Sequence, residues 1–274
     1  MKEKKIVYRV EDDMDRNDIL CTTYQMRNFY MQMRDGFFSN LDVMNYIQHD
    51  AVARMAKKGD AVLDVCCGRS LILPLLRWYS KDIDSYTGVD ISATNIKEAI
   101  RGASRKITEE ELRAGYYPFK VGWSKCNVAE MSKHIPSNHY DLVVYTSAIE
   151  HMHKEMGAAS LVECYKVMKN GAKMFLSSPN TPGNGFNTQY RAHVYEWGYD
   201  ELKQELHKIG FQIEKEVGLV MKVKKMKEVY ENVNPEIKAY FNSLASYLPT
   251  AWLTPIAAIP YPKEADEVLF IVRK

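Results

Sequence analysis

The stretch Val62-Leu-Asp-Val-Cys-Cys-Gly-Arg-Ser70 decides the fold of this 274-residue chain. It begins within a short apolar run that is rich in β-forming residues, turns around Gly68, and leads into an apolar helix predicted over Leu71–Tyr79. Glycine in the turn lets the backbone approach a ligand without a Cβ in the way. A strand, a turn and a helix in this order are typical of an open α/β sheet, which binds its ligands at the carboxyl ends of the strands.

The alternation of strands and helices continues along the chain. Strands are predicted over 61–65, 86–91, 119–126, 140–145, 173–177, 211–218 and 267–272, and the later helices over 93–106, 156–168 and 199–209. This order predicts an α/β fold of the doubly wound kind, with a mostly parallel seven-stranded sheet and helices on both faces. N-terminal helices precede the sheet, and a helical insertion precedes its last strand.

Composition and charge narrow the class of protein. Hydrophobic residues make up 46% and charged residues 26%, a balance that can fill a core, and the net charge of +2 gives no overall basic field to recruit nucleic acid. The five cysteines are never spaced as CxxC, which favours a reducing compartment over a disulfide scaffold or a structural zinc site. No apolar run approaches the roughly 20 residues of a membrane-spanning helix. We therefore expect a cytoplasmic protein without a membrane partner.

Two acidic residues at the ends of neighbouring strands indicate the ligand. Asp64 lies inside an apolar strand, where it needs a hydrogen-bond partner, and Asp90 closes the next strand, where it can accept hydrogen bonds from ribose hydroxyls. Either residue alone could merely cap a turn or a helix; the pair favours ligand binding. A pyrophosphate requires the glycines of a GxGxxG loop, and only Gly68 is present here. S-adenosylmethionine (SAM), which carries no phosphate, fits this loop better than NAD.

Three motifs together resemble class I SAM-dependent methyltransferases. They are Val62–Ser70, Gly88-Val-Asp-Ile-Ser92 and Tyr140-Asp-Leu-Val-Val-Tyr-Thr-Ser-Ala-Ile-Glu-His151, and the resemblance covers residues 59–219 and the last strand. It implies a Rossmann-like core in which the first turn holds the methionine part of SAM, the second strand ends at the ribose, the residues after the third strand flank adenine, and the fourth strand ends near the methyl group. The cofactor-binding residues implied in this way are Asp64, Cys66, Gly68, Arg69, Asp90, Ile91, Asn127, Val128 and Thr146.

The chain departs from the family pattern at three positions. The family's usual D-x-G-x-G-x-G has Cys66 in place of the first glycine and Ser70 in place of the third, and Asn127 stands where an acid is common. These departures concern the path of the loop and the contact with adenine. The cofactor that the resemblance implies is still SAM, with S-adenosylhomocysteine as the product.

The segment after the fourth strand offers the groups for catalysis. Methyl transfer needs a base when the acceptor is a hydroxyl or a protonated amine. We predict His151 as this base, with Glu150 orienting it or binding the acceptor. Alternatively, the two residues only begin a helix. A metal site from Glu150, His151 and His153 is a third interpretation, but two histidines two residues apart need an extended loop to share one ion, so no metal is predicted.

The segment after the fifth strand is predicted to build the acceptor pocket. Its polar and aromatic side chains either line that pocket or pack under the next helix: Tyr190, His193, Tyr195 and Trp197. The function predicted is methyl transfer to an oxygen or nitrogen of a small molecule. One alternative is a nucleic-acid methyltransferase, but the nearly neutral net charge and the sequence Thr146-Ser-Ala-Ile after the fourth strand count against it. The other alternative is a non-catalytic SAM-binding subunit.

The predicted domain organisation has four parts. Residues 1–58 form an N-terminal helical lid, 59–219 the SAM-binding core, 220–266 a helical insertion and 267–274 the last core strand. The insertion is long enough to require structure of its own. It either covers the acceptor pocket as a cap or lengthens the core. The prolines from Pro249 onward predict a rigid, non-helical return to the sheet.

Overall fold

Short apolar strands that are buried on both faces form the centre of the fold. The computed structural model describes residues 39–79, 82–103, 119–182, 185 and 189–274. Within them the strands are β1 (Ala61–Val65), β2 (Ser85–Asp90), β3 (Lys120–Lys125), β4 (Tyr140–Tyr145), β5 (Met168–Pro179), β6 (Gln212–Val220) and β7 (Glu267–Arg273). They form a seven-stranded sheet in the order β3-β2-β1-β4-β5-β7-β6. β7 runs antiparallel to both of its neighbours, and the pairs among β1–β5 are parallel. The predicted fold class is confirmed.

Helices and short turns connect these strands. The helices of the described residues are α1 (Asn40–Met55), α2 (Leu73–Tyr79), α3 (Ala93–Ala103), α4 (Lys154–Val167), α5 (Tyr199–Ile209), α6 (Val223–Glu231), α7 (Pro235–Tyr247) and α8 (Thr250–Ala258). Two 3₁₀ turns, Val128–Lys133 and Ile149–His151, follow β3 and β4. None of the helices in the described ranges is long and apolar enough to cross a membrane. The predicted helices before residue 39, and the end of the helix predicted to reach 106, lie outside the described residues.

Successive side chains of the central strands enter two different hydrophobic cores. Val62 of β1 and Leu142 of β4 pack into one core with residues of α1 and α2, whereas Leu63 and Val143 pack into the other with residues of α4 and α5. This division follows from the period of two in a strand, which sends neighbouring side chains to opposite faces. Because helices cover both faces, the strands are apolar throughout rather than alternating.

The insertion before β7 is helical, as predicted, and has a hydrophobic cluster of its own. Met226, Tyr230, Phe241 and Leu253 are buried together there. α8 also packs against β6, where the carbonyl oxygen of Ala258 comes so close that a Cβ added to Gly218 would lie 2.1 Å from it. Whether these helices cover an acceptor pocket stays a prediction.

The non-helical return predicted from the prolines is wrong. Residues 250–258 form α8 although Pro255 lies inside the helix. Pro249 stands at the N-cap, where the helix requires no amide hydrogen, and its carbonyl accepts hydrogen bonds from the amides of Trp252 and Leu253. Burial of Leu253 and Ala257 in the cluster of the insertion offsets the one backbone hydrogen bond that Pro255 cannot make.

Candidate active site

The loop between β1 and α2 adopts the backbone conformation of a glycine-rich loop although it contains one glycine. Cys66, Gly68 and Ser70 all have positive φ, at 55°, 51° and 57°. Non-glycine residues avoid this region at a cost on the order of 1–3 kcal/mol each. The surroundings support the strained path, because Nε1 of Trp123 donates a hydrogen bond of 2.9 Å to Oγ of Ser70. The departures from the family pattern at Cys66 and Ser70 therefore leave the path of the loop in place.

Space for a ligand lies beside this loop. A Cβ built on Gly68 would have no heavy atom within 4 Å among the described residues, apart from the chain neighbours. The amide of Cys67 donates to the carbonyl of Val89, so the loop is tied to the end of β2. The backbone is thus held at the carboxyl edge of the sheet with one face open, as close approach of a ligand to Gly68 requires.

Asp64 lies at the base of this loop in a fully apolar strand. Its carboxylate accepts a hydrogen bond of 2.7 Å from the hydroxyl of Tyr86 on the neighbouring strand. Both side chains are buried, and burial raises the pKa of Asp64 to about 7. Tyr86 is thus the hydrogen-bond partner that a buried Asp64 needs, and the contact ties β1 to β2 below the loop.

Asp90 joins the first loop to the second. One carboxylate oxygen accepts a hydrogen bond of 3.0 Å from the amide of Gly68, and the other accepts one of 2.7 Å from the amide of Ser92. The hydroxyl of Ser92 in turn accepts from the amide of Asn95 in the first turn of α3. The side-chain amide of Asn95 also donates to both oxygens of Asp90, over long distances of 3.4 and 3.5 Å, so the hydroxyls of a ligand diol would have to replace only these long contacts.

The other predicted cofactor residues lie around the same edge with differing contacts. The guanidinium of Arg69 forms a surface ion pair with Glu98, and its contact with SAM stays a prediction. Ile91 exposes 65% of its surface directly after Asp90. Oδ1 of Asn127 accepts from the amide of Ala129 and so begins the 3₁₀ turn that buries Val128. Asn127 therefore caps the N-terminus of this turn, as an acidic residue at the same position would.

Glu150 is a buried carboxyl with one oxygen that has no hydrogen-bond partner among the described residues. It lies in the 3₁₀ turn directly after β4, is only 2% exposed, and its Oε2 has no hydrogen-bond partner among the described residues. Burial, together with the nearby carboxyl of Glu267, raises the pKa of Glu150 to about 8. A buried oxygen without a partner is costly, about 1–3 kcal/mol, and is the kind of group that a ligand satisfies.

The structure brings His193 to the pair that the sequence predicted. The imidazole rings of His151 and His193 lie 5.0 Å apart in an edge-to-face arrangement, and the ring of Tyr190 is 5.4 Å from that of His193. The backbone carbonyl of Glu150 accepts hydrogen bonds from the amides of Val194 and Tyr195, which fixes the segment after β5 against the turn after β4. His153 is exposed and lies outside this group.

The four predicted acceptor-pocket residues divide into two pairs. Tyr190 is 63% exposed and His193 is half-buried next to His151. Tyr195 and Trp197 are buried in the hydrophobic core with Leu202 and other residues of α5, and the hydroxyl of Tyr195 donates to Glu201. This second pair packs under the next helix, the other arrangement that the sequence allowed.

Sequence reasoning missed a buried polar group behind Thr146. Nε2 of His49 lies 3.2 Å from Oγ1 of Thr146, and burial lowers the pKa of His49 to about 4. The hydroxyl of Ser147, a residue with φ of 47°, donates to the carboxyl of Glu267 over 2.9 Å. The sequence could not show that His49 contacts Thr146, because the two residues are almost one hundred positions apart. The signal that it did offer was Glu267, an acid at the start of the otherwise apolar strand β7.

The loops at the carboxyl ends of β1 and β2, with the buried Glu150 and the histidines beside it after β4, lie where a Rossmann-like sheet binds its ligands. A family model described as a methyltransferase domain matches residues 42–216, well over half of the chain. The chain belongs to this family. It is a SAM-dependent methyltransferase, with SAM as the cofactor and S-adenosylhomocysteine as the product.

Two solved structures have a similar fold, and one relative is similar in sequence over part of the chain. The chain is 20% identical to a SAM-dependent methyltransferase from Archaeoglobus fulgidus, with a TM-score of 0.53 over 89% of this chain and 100% of that one. It is 18% identical to the [4+2]-cyclase SpnF, with a TM-score of 0.55 over 82% and 79% of the two chains. An mRNA cap guanine-N(7) methyltransferase of Oryza sativa subsp. japonica is 25% identical over 91 residues, which are 33% of this chain and 24% of that protein. The match thus spans about a quarter of that relative's length.

Proposed function

We propose that the chain transfers the methyl group of SAM to an oxygen or nitrogen atom of a small molecule. Bound SAM supplies a methyl carbon that its sulfonium already activates, so the protein has to position the acceptor and remove its proton. The observation that carries the proposal is the buried Glu150, whose Oε2 is unpartnered within the described residues and lies beside His151 and His193. This group follows β4 directly, four residues beyond Thr146.

We assign the cofactor to the edge formed by the β1 and β2 loops. Asp90 would accept hydrogen bonds from the ribose hydroxyls, and the backbone around Gly68 would approach the methionine part, because the loop has one open face there. Asn127 and Val128 would flank adenine, and Thr146 would face the methyl group. Asp64 would support the loop indirectly, because its hydrogen bond with Tyr86 joins β1 to β2 at the base of the loop.

We assign the acceptor to the space between Glu150, His151 and the segment that begins at Tyr190. A neutral His151 whose Nδ1 donates to the carbonyl of Ala192 has a free lone pair on Nε2, which can accept the proton of an acceptor hydroxyl or ammonium group. Glu150 would bind the acceptor through Oε2. Tyr190 and His193 would line the pocket, with Tyr195 and Trp197 supporting them from the core.

The charges around this space favour a small molecule over nucleic acid. Glu150, Glu196 and Glu267 are buried carboxyls near one another, and none of them offers the positive charge that binds a polyphosphate backbone. The exposed basic run from Lys222 to Lys227 forms ion pairs with acidic residues, namely Lys222–Asp266, Lys224–Glu228 and Lys225–Glu264. Its charge is therefore partly neutralised.

The cytoplasm is the compartment that we propose, because it keeps cysteines such as Cys66 and Cys67 reduced.

A nucleic-acid acceptor is the second candidate function. Its support is the local similarity to the rice protein, whose name describes methylation of an mRNA cap guanine. A cap is itself a nucleotide, so a compact pocket does not by itself distinguish the two candidates.

Methyl transfer from labelled SAM to two panels of acceptors tests the proposal. One panel contains small hydroxyl and amine compounds, and the other contains capped RNA, uncapped RNA and DNA. We expect label in the first panel, with rates that vary little between low and moderate salt. Label found in RNA or DNA alone, with transfer that falls steeply as salt rises, would overturn the small-molecule assignment.

A further inference from the structure

Three potential metal ligands from two distant segments meet on the acceptor side. Glu150 and His151 come from the turn after β4, and His193 comes from the segment before α5. One carboxylate oxygen of Glu150 and one ring nitrogen of each histidine lie within 4.8 Å of one another. We call these three residues the histidine–carboxylate cluster. It differs from the set weighed from the sequence, because His193 takes the place of His153.

Both histidines have one nitrogen fixed by an acceptor outside the cluster. Nδ1 of His193 donates to the buried carboxylate of Glu196, and Nδ1 of His151 lies 3.2 Å from the carbonyl oxygen of Ala192. Neither acceptor has a proton to give when Glu196 is ionised, so each Nδ1 carries the proton and each Nε2 keeps a lone pair. Histidines that bind metals are oriented in this manner, by a carboxylate or a backbone carbonyl on the other nitrogen.

Glu196 is itself held in place. Its carboxylate accepts hydrogen bonds from the amide of Gln189 and the hydroxyl of Thr181 in addition to His193, and the residue is fully buried. Such a network fixes the ring plane of His193 and adds negative charge next to the cluster. Histidines that bind metals are held in place by hydrogen bonds of this kind to their second ring nitrogen. A histidine that only packs against its neighbours has no need of such a network.

The third ligand, Glu150, has an oxygen that needs a partner. Oε2 is buried and makes no hydrogen bond to any residue that the structure describes. A buried carboxylate oxygen is stabilised by a hydrogen bond or by a cation. We assign this oxygen and the Nε2 atoms of His151 and His193 as the ligands, a set of one oxygen and two nitrogens.

We propose that the histidine–carboxylate cluster binds one divalent first-row transition-metal ion, of the class of Zn²⁺, Mn²⁺ and Co²⁺. Two imidazoles and one carboxylate suit these ions, whereas Mg²⁺ and Ca²⁺ prefer sites made of oxygen atoms. Tetrahedral ligands at 2.0–2.1 Å from an ion are about 3.4 Å apart, so the distances between the ligand atoms must shorten by up to about 1.4 Å on binding. The exposed side chain of His151 can supply this movement.

The ion would leave coordination positions open for the methyl acceptor. This role, though not the binding itself, rests on the proposed function. A hydroxyl that coordinates the ion has a lowered pKa and loses its proton to water, and its oxygen then forms the bond to the methyl carbon while the carbon–sulfur electron pair stays on sulfur. His151 would then act as a ligand, and the base would no longer be needed.

Binding of Co²⁺ to the untagged, full-length protein tests the proposal directly. Calorimetry and the visible absorption of Co²⁺ should show one ion per chain, and Mg²⁺ at the same concentration should not displace it. His151→Ala and His193→Ala should each weaken binding at least tenfold, and so should Glu150→Gln. His153→Ala is the matched control, because His153 is exposed, lies two residues away and makes no side-chain cap to α4; it should bind Co²⁺ like the unmodified protein.

The outcomes separate this proposal from the proposed function. SAM binding, measured on every variant, reports whether the fold is intact, and the exposed position of His151 makes its variant the safest one. No Co²⁺ binding, or binding that His151→Ala leaves unchanged, overturns the metal site while methyl transfer to small molecules can still be observed. Stoichiometric Co²⁺ binding without any transfer to the small-molecule panel supports the metal site and counts against the proposed function.

Discussion

The two halves of the ligand-binding edge satisfy their buried charges differently. In the half that we assign to the cofactor, Asp64 is paired with Tyr86, and Asp90 holds the amides of Gly68 and Ser92. In the half that we assign to the methyl acceptor, Glu150 keeps an oxygen without a partner among the described residues. The cofactor half is therefore built before its ligand arrives, because its polar groups hold one another. The acceptor half retains an unsatisfied group, and such a group gives binding energy and selectivity to the molecule that pairs with it.

Gly68→Val should have the largest effect, because it disturbs the preorganised half. Valine at a φ of 51° strains the loop, and its side chain would fill the space on the open face. We expect SAM binding to become undetectable by calorimetry. Gly171→Val is the control, since Gly171 also has a positive φ, at 81°, with open space around it but no place in the loop. Equal loss of SAM binding in both variants would show that strain alone, not the position of the loop, is responsible.

His151→Ala should have the next largest effect and act on the acceptor half alone. We expect kcat to fall by about 10²–10⁴, whether His151 accepts a proton or holds an ion, while the affinity for SAM stays the same. Steady-state kinetics with the identified acceptor and calorimetry with SAM check the two parts. His153→Ala should change neither quantity. A loss of SAM affinity in His151→Ala would contradict the division of the edge into two halves.

Asp90→Ala should weaken SAM binding by a smaller amount. The loss of charge-assisted hydrogen bonds corresponds to about 1.5–3 kcal/mol, or about 10- to 150-fold in affinity. Asp84→Ala is its control, because Asp84 lies just before the other end of β2 and pairs on the surface with Lys120. Calorimetry on both variants measures the difference. Unchanged affinity in a folded Asp90→Ala variant would remove Asp90 from the site.

Asp64→Asn should change the pH dependence of stability and should act on no ligand contact. Because burial raises the pKa of Asp64 to about 7, the folded protein keeps a proton between about pH 4 and about pH 7 that the unfolded chain has released. The free energy of unfolding of the ligand-free protein therefore falls as the pH rises through this window, by up to about 1.4 kcal/mol per pH unit from this group. Urea unfolding at several pH values should show a shallower fall for the variant.

Asp84→Asn provides the comparison for that measurement. Hydrogen bonding to Lys120 lowers the pKa of Asp84, so this residue releases its proton below the window. Its variant should keep the fall of stability between about pH 4 and about pH 7. A fall of the same steepness in Asp64→Asn and in the unmodified protein would mean that Asp64 is ionised throughout.

The sequence predicts most of the sheet because its signal is local. β4 at Tyr140–Tyr145 and α5 at Tyr199–Ile209 have the predicted bounds, since each is a clear run of one periodicity. β5 begins five residues earlier than predicted, at Met168, because Lys169, Asn170 and Gly171 carry no apolar pattern. α8 was missed because prolines argue against a helix locally, and only burial of its apolar face in the insertion outweighs them.

The sequence by itself determined the order of strands and helices, the acids at the ends of β1 and β2, and the family of SAM-dependent methyltransferases. These depend on residues that are close together in the chain, where periodicity and spacing are visible. The tertiary structure alone decided that His193, and not His153, joins Glu150 and His151, and that Tyr195 and Trp197 pack in the core. The reason is physical: the two segments are about forty residues apart, and they meet only because the carboxyl ends of the parallel strands β4 and β5 lie at the same edge of the sheet.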